Sequence, residues 1–597
     1  MKLNYKKTLL VGFAFFLICA FWQAYDSIMP LMLVNKFGLS QTASGLIMAV
    51  DNIIAIFMLP LFGSLSDKVK TKWGRRTPFI VLGTIVAVVA FCSLTFADSR
   101  QLANLNANDK MGNSVVFYEE LFESNYQIAN AESNIIGQKD LPKKYNIKDY
   151  ASQIVFQKNY NQLNETEKAA VKDWYTHINY EYLTSDGHTA PETSYGYDND
   201  SGEYFAVKTV VDDAGVKTYY RTTAGGDVKV DKFSTHNAYT NLVNPAISSY
   251  AWGKTKANPV PFILFIILLL VTLLAMATFR SPAVALMPDV TPKPLRSQAN
   301  AIINLMGTVG GMLVLVLGIV FKTGKTFNQY MGYTWYVVAV CAIMVVALAM
   351  FIWKVKEPKW AEDAEKQNAE LEKEQAPEAE QAKAPSANEK PHVLSKAERK
   401  SLILLLASVA LWFIGYNAVT SKYSLYATNV LHMDYNTTLL IAQGAAIAAY
   451  LPVGLLAQKI GRKRSIMSGI IMLATAFIGA TFMNANSSVF IMNVLFTLAG
   501  IGWATINVNS FPMVVELAKG SDVGKYTGYY YTASMAAQIV TPLLSGFIMD
   551  VMGSMRPLFP YAAIFVCIAF VTMFFVKHGD SKPIAKKGLE ALDTDAD

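Results

Sequence analysis

Three ionisable side chains fall inside long apolar runs of this chain. Asp26 lies in Trp22-Gln23-Ala24-Tyr25-Asp26-Ser27, Asp51 in Met48-Ala49-Val50-Asp51-Asn52, and Arg280 just before Ser281-Pro282. A charge placed in hydrocarbon costs about 2.5–3.5 kcal/mol on insertion scales, so such groups are kept for function or turned toward a partner. In a shared wet cavity a carboxylate can take up a proton or accept hydrogen bonds from hydroxyl groups. A guanidinium beside it can tune that proton affinity or donate hydrogen bonds of its own. For Asp51 and Arg280 the plainer alternative is a structural ion pair near a membrane edge. The same runs carry Trp22, Gln23, Tyr25, Asn300, Asn304, Tyr416, Asn417, Gln443, Asn507, Asn509, Tyr529, Tyr530 and Gln538. Polar and aromatic groups in such positions turn away from lipid, either to a solute or to other helices as cross-links.

The elements that must position these groups are membrane helices. The chain has 597 residues, 53% hydrophobic and 16% charged, and a mean hydropathy of +0.27. That balance excludes an ordinary soluble globular protein. Twelve apolar runs are long enough to cross a hydrocarbon core of about 30 Å. They cover roughly 8–33, 42–65, 78–98, 259–286, 298–321, 330–354, 400–424, 436–457, 465–484, 487–512, 525–549 and 556–577. The first has basic flanks but is too long for a signal peptide and leads into another span, so it reads as a retained helix. Lys2, Lys6, Lys7, then Lys68 to Arg76, then Lys459 to Arg464 mark every second connection, whereas 425–436 and 483–488 carry no Lys or Arg. By the positive-inside rule both termini are cytosolic, in a multi-pass plasma (inner) membrane protein. The net charge of +7 is therefore a topology signal and not a nucleic-acid footprint. Cys19, Cys92, Cys341 and Cys567 all fall in spans without motif spacing. They read as small buried apolar residues, with no disulfide or zinc framework.

The connection Gly63-Ser-Leu-Ser-Asp67-Lys-Val-Lys-Thr-Lys-Trp-Gly74-Arg75-Arg76-Thr-Pro78-Phe79 resembles the loop signature of the major facilitator superfamily, G-x-x-x-D-(R/K)-x-x-x-x-x-G-R-R. Its S-D and G-R-R-T-P-F details are similar to the sucrose-transporter branch and the related glycoside–cation symporters. So are Arg280-Ser-Pro-Ala-Val-Ala-Leu-Met-Pro-Asp289 and Arg296-Ser-Gln-Ala-Asn300. The resemblance covers 1–98 and 259–577. It implies an all-α membrane protein and proton-coupled symport of a disaccharide or glycoside by alternating access. It implies no cofactor beyond the co-transported cation, and a partner set limited to the sugar and the lipid bilayer, the protein being a monomer without nucleic acid. Gly63, Asp67, Gly74, Arg75, Arg76, Asp289 and Arg296 are the expected cytosolic gate. Its carboxylate–arginine pair is expected to form in the outward-facing state and to break on opening. Asp26, Asp51 and Arg280 are the expected coupling residues. The branch's span-four arginine aligns on Val284, and its intramembrane carboxylate falls among Leu273 to Met276. The cation-binding aspartates of melibiose permease align near Ala55 and Leu59. Any coupling carboxylate must then be Asp26 or Asp51.

Self-similarity divides the chain in two. Tyr25-Asp26 matches Tyr416-Asn417, and Gly63-x-x-x-Asp67-Lys68 matches Gly454-x-x-x-Gln458-Lys459, both at an offset of 391. Pro282 matches Pro512 at 230, and the drop equals the polar stretch 99–258 to within a residue. Transporters built from repeated halves fit this pattern. The expected organisation is spans one to three in 1–98, a small extracytoplasmic α+β insertion at 99–258, and spans four to six in 259–354. A charged cytosolic linker at 355–400, spans seven to twelve in 401–577 and a cytosolic tail at 578–597 complete it. Within the insertion, 139–183 has helical periodicity, and Glu203–Val211, Val216–Thr223 and Val228–Val230 read as strands joined by turns. Two rival readings stay open: a carrier of another small organic solute, and a non-transporting receptor that binds sugar or cell-wall material through the insertion. No nucleophile–base pair suggests an enzyme.

Overall fold

In a computed structural model, residues 3–105, 145–146, 194–198, 203–211, 217–223, 226–229, 234–237, 244–324, 331–381, 395–431, 433–484, 487–517 and 523–578 are described. Among the described residues the chain is nearly all helix. The first half comprises α1 (Tyr5–Val11), α2 (Phe13–Leu31), α3 (Gln41–Lys68), α4 (Thr77–Asn104), α5 (Asn244–Ala257), α6 (Val260–Val290), α7 (Arg296–Val320) and α8 (Thr334–Lys354). A linker helix, α9 (Glu357–Gln381), leads to the second half. That half holds α10 (Lys396–Tyr426), α11 (Tyr435–Ile460), α12 (Arg462–Thr481), α13 (Val489–Val515), α14 (Val523–Val551) and α15 (Leu558–Phe574). Each of the twelve expected segments is helical. Ten helices among the described residues are long and apolar enough to cross a membrane, α1 and α2 counting as one. The remaining two positions are α11 and the shorter apolar α15.

Local chemistry sets the helix ends. Ser40 caps α3 by accepting from the Ala43 amide, and Ser395 and Glu398 form a reciprocal capping box at the start of α10. Both supply acceptors to amides that a first helical turn leaves unpaired. α2 and α10 each run into a five-residue π-helical turn, Met32–Lys36 and Ala427–Leu431. These two irregular turns meet where Asn429 donates to the Asn35 side-chain oxygen at 2.8 Å. The halves thus repeat an unusual local geometry at the same place, consistent with their internal similarity.

At this same end the two halves are sewn together. α3 and α14 approach so closely that a Cβ on Gly45 would overlap the Pro542 carbonyl, and one on Gly546 would overlap that of Gln41. Asp550 accepts from the Gln41 and Thr42 amides, both at 2.8 Å, and the buried Lys422 ammonium donates to the Gln41 carbonyl at 2.8 Å. Thr323, Tyr435 and Asn436 join α7 to α11 at 2.9–3.0 Å. Within the first half, Lys36 and Asp98 form an ion pair at 2.6 Å with neither side chain exposed. Lys36 also donates to the Met331 carbonyl at 2.8 Å and lies 4.2 Å from the centroid of the Tyr333 ring.

Between α4 and α5 lies a sheet of order β5-β4-β3-β2-β6, with β1 parallel to β3. Here β1 is Tyr145–Asn146, β2 Ser194–Asp198, β3 Glu203–Val211, β4 Lys217–Thr223, β5 Gly226–Lys229 and β6 Ser234–Asn237. The three expected strands are therefore present. The helix expected at 139–183 falls outside the described residues, except Tyr145–Asn146, which pair with Tyr204 and Phe205 instead. Helix α4 continues to Asn104, past the expected boundary at 98, because Gln101 donates to the Lys36 carbonyl and to Thr255. The charged linker is helical over α9 and docks on the first half, with Trp360 within 5.2 Å of Lys7. Of the four cysteines expected to be buried, Cys341 is, whereas Cys567 is exposed. An outward thiol on an apolar helix costs little where the surrounding solvent is lipid.

Candidate functional site

Helical periodicity explains how five helices build one polar chamber. Residues three and four apart share a helix face. α2 contributes Trp22 and Asp26, α3 contributes Met48, Asp51 and Asn52, and α10 contributes Asn417, Thr420 and Ser421. α14 adds Gln538 and Pro542, and α6 adds Arg280. Together they enclose a cavity of about 190 Å3 between the halves. The three ionisable groups that stood out in the sequence are thus brought together. Asn52 donates to Asp51 at 2.8 Å, and the Arg280 guanidinium carbon sits 6.0 Å from the Trp22 ring centroid. Asp51 is within electrostatic reach of both Asp26 and Arg280.

The chamber is chemically two-sided. Asp26 and Asp51 offer acceptors, and Arg280, the Trp22 indole nitrogen and the Asn417 amide offer donors. The Trp22 Nε1 and Asn417 Nδ2 atoms are buried without a protein partner. A buried donor left unpaired costs about 1–3 kcal/mol, so both wall groups are available to a polar occupant. Trp22 adds an aromatic surface to the wall.

The other candidate residues lie elsewhere. Gln23 faces α11 and accepts from Gln443 at 2.7 Å, tying the halves together. Tyr25, one position from Asp26, points off the chamber face and packs edge-on to Trp22 with centroids 5.3 Å apart. Tyr416 stacks on Trp503 at 3.6 Å and 2°. Asn509 donates to the Thr505 carbonyl at 2.9 Å, and Tyr530 pairs with Ser510 at 3.0 Å. Asn300, Asn304, Asn507 and Tyr529 do not line this chamber either. Sequence reasoning overlooked Asn52, Thr420 and Ser421. Their signal was their spacing, adjacent to Asp51 and one turn beyond Asn417.

A second charged cluster holds the Arg75–Arg76 end. The buried Arg76 guanidinium donates to Asp67 at 2.5 Å and to Asp289 at 2.8 Å, to the Gly63 carbonyl at 3.4 Å, and to the Ser66 hydroxyl. Arg75 is 3.7 Å from Asp289. Glu357, at the start of α9, accepts from the amides of Arg75, Arg76 and Thr77 at 2.7–2.8 Å and from the Thr77 hydroxyl at 2.7 Å. It thereby satisfies the open N-terminus of α4. Gly74 makes room for it: its φ is +108°, and a Cβ there would run into the Glu357 carboxylate. Arg296 does not join the carboxylates, because it donates to the Pro288 and Thr291 carbonyls at the end of α6. The second half repeats the design with Arg462 and Glu516, which pair across the start of α12 and the end of α13.

Every member of the Asp67–Arg76–Asp289 cluster belongs to the first half, and the cluster is intact while the opposite end is closed. In this conformation the cluster braces the first half. Asp67 is 59% exposed and Asp289 only 19%. Asp289→Asn is expected to slow turnover at least ~10-fold, and Asp67→Asn less than ~5-fold, because a solvated pair contributes only about 0–1 kcal/mol. Initial rates over a substrate series separate turnover from affinity. A large affinity loss at unchanged rate argues against a bracing role.

Comparison with known proteins agrees with this architecture. The family model described as Major Facilitator Superfamily matches residues 246–451 and 437–593, together more than half of the chain. The model described as MFS/sugar transport protein matches 11–103. Among curated proteins, none matches. Among solved structures, the inward open xylose transporter XylE from E. coli is similar at a TM-score of 0.50 and 12% identity, covering 99% of each chain. A D-xylose-proton symporter is similar at 0.50 and 11%, covering 96% of this chain and 99% of its own. Two internally similar helical halves around a charged chamber, with family matches over residues 11–103 and 246–593, make this chain a secondary transporter belonging to the Major Facilitator Superfamily.

Proposed function

We propose that the protein carries a disaccharide or glycoside across the plasma membrane by alternating access, in symport with a cation, the proton being the favoured one. The observation that carries this reading is the chamber. Two carboxylates, one guanidinium, two unpartnered donors and an indole converge between the halves. The single arginine against two aspartates disfavours anionic solutes, whereas hydroxyl-rich neutral solutes match the mix of donors and acceptors. The loop signature 63–79 supports placement in the sucrose-transporter-like branch, and the D-xylose-proton symporter with the same fold supports coupling to protons. In this reading α11 and α15 also cross the bilayer, giving twelve spans, with both termini cytosolic and the sheet between α4 and α5 outside. The halves are held together at the extracytoplasmic end, so the conformation is the inward-facing one. Protonation of Asp26 does work on the substrate only if it changes the relative stability of the two facing states.

The test is purified protein in liposomes, offered a panel of di- and oligosaccharides under imposed proton or sodium gradients. Uphill uptake of one sugar under one gradient supports the proposal, and no uptake of any sugar under either gradient sinks it. Within that assay Asn417→Ala is expected to raise KM about 10-fold, the effect of losing one buried hydrogen bond. An unchanged KM would remove Asn417 from the binding wall.

A further inference from the structure

A second cavity, of about 490 Å3, is bounded by α11, α12 and α13 and is almost wholly apolar. Its walls include Ala445, Ala448 and Pro452 of α11, Ser468 and Met472 of α12, and Ile501 of α13. The three hydroxyls on its wall are spent on their own helices: Ser468 donates to Ser465, Thr497 to Asn493 and Thr505 to Ile501. The groove faces away from the other half. On α11 the inward face is marked by Asn436 and Gln443, which bond to α7 and α2, whereas Ala445, Ala448 and Pro452 fall about 140–200° around the helix from Gln443. It therefore opens on the outside of the bundle, among lipid chains.

What distinguishes this groove from any lipid-facing furrow is the charge at its end. Ala445, Pro452 and Lys459 are seven apart and share one line along α11, while Arg464, Ser468 and Met472 follow a four-residue row along α12. Lys459 and Arg464 are both exposed. Among the described residues neither has an ion-pair partner. Their neighbours are committed: Arg462 pairs with Glu516, and Lys463 donates to the Phe574 and Val576 carbonyls at 2.8 and 2.6 Å. At 1.5 Å per residue, the apolar walls begin about 6–9 Å from these two cations and extend to about 21 Å. That span matches one leaflet of hydrocarbon, about 15 Å deep, below a headgroup.

We propose that this groove is a binding site for an anionic phospholipid, with one acyl chain lying between α11 and α12 over α13 and the phosphate held by Lys459 and Arg464. The proposal is independent of which solute is transported. Cytosolic leaflets are rich in anionic lipid, and each Lys or Arg near such a surface adds several-fold to affinity.

Full-length protein is equilibrated in mixed phosphatidylcholine and phosphatidylglycerol, and retained lipid is counted by native mass spectrometry. Wild type is expected to retain phosphatidylglycerol over phosphatidylcholine by about tenfold or more. K459Q/R464Q is expected to lose that preference. Ala448→Phe, which fills the groove and keeps both cations, is expected to retain less of either lipid. Glycerophosphoglycerol, the headgroup without chains, is expected not to compete. Equal retention of the two lipids by wild type, or an unchanged preference in K459Q/R464Q, overturns the headgroup site. Unchanged retention in Ala448→Phe, or full competition by the chain-free headgroup, overturns the acyl groove. The double variant changes only exposed side chains, so it tests the idea even if the filled groove misfolds.

Discussion

Asp26→Asn is expected to abolish accumulation of substrate against its gradient while leaving exchange of labelled for unlabelled substrate within about threefold of wild type. The substitution keeps the shape and a hydrogen-bonding oxygen on the chamber wall but removes the group that can change charge. Uphill transport requires that the bound cation alter the balance between the two facing states, whereas exchange needs only that the loaded carrier move. The internal-to-external ratio should therefore fall to about one. Asp51→Asn is the control, because Asp51 already accepts from Asn52 at 2.8 Å and lies within reach of Arg280. If Asp26→Asn still concentrates substrate and Asp51→Asn does not, the coupling role passes to Asp51.

The second large effect is on stability. Asp98→Ala leaves the Lys36 ammonium fully buried, with only the Met331 carbonyl and the Tyr333 ring beside it among the described residues. Removing one partner of a buried pair costs about 3–5 kcal/mol, whereas replacing both by apolar groups of similar size is often nearly neutral. Asp98→Ala should therefore lower the thermal unfolding temperature sharply in detergent, and the double variant Lys36→Met with Asp98→Leu should recover most of the loss. A single variant as stable as wild type would mean that the ammonium finds water at this end.

The helical architecture was readable because lipid leaves few options. A run of about 20 apolar residues can cross only as a helix, and the costs that make Asp26, Asp51 and Arg280 conspicuous in sequence also turn them toward one chamber. Strands β3, β4 and β5 were readable from alternation and turn residues. Partnerships set by tertiary contact were not. Glu357 lies in a stretch of Glu, Lys and Ala that reads as solvated, and nothing local says that its carboxylate reaches back to three amides near Arg76. Asp98 falls on a span boundary, where a carboxylate is unremarkable, so its burial against Lys36 left no signal. Tyr25 and Tyr416 look like ring-stacking platforms for a solute. Their positions on the helix direct them instead to Phe21 and Trp22 and to Trp503. A one-residue step is about 100°, and composition alone does not report which face a helix presents.

The contact between α3 and α14 has a mechanical consequence. Gly45 and Gly546 let the two helices touch through main chain, Gly45 at the Pro542 carbonyl and Gly546 at that of Gln41. Interlocked side chains would have to leave their rotamer wells before such helices could part. A smooth backbone seam has no teeth to disengage, so its resistance lies in the few bonds around Asp550 and Lys422. That junction behaves as a low-friction bearing with a small number of pins.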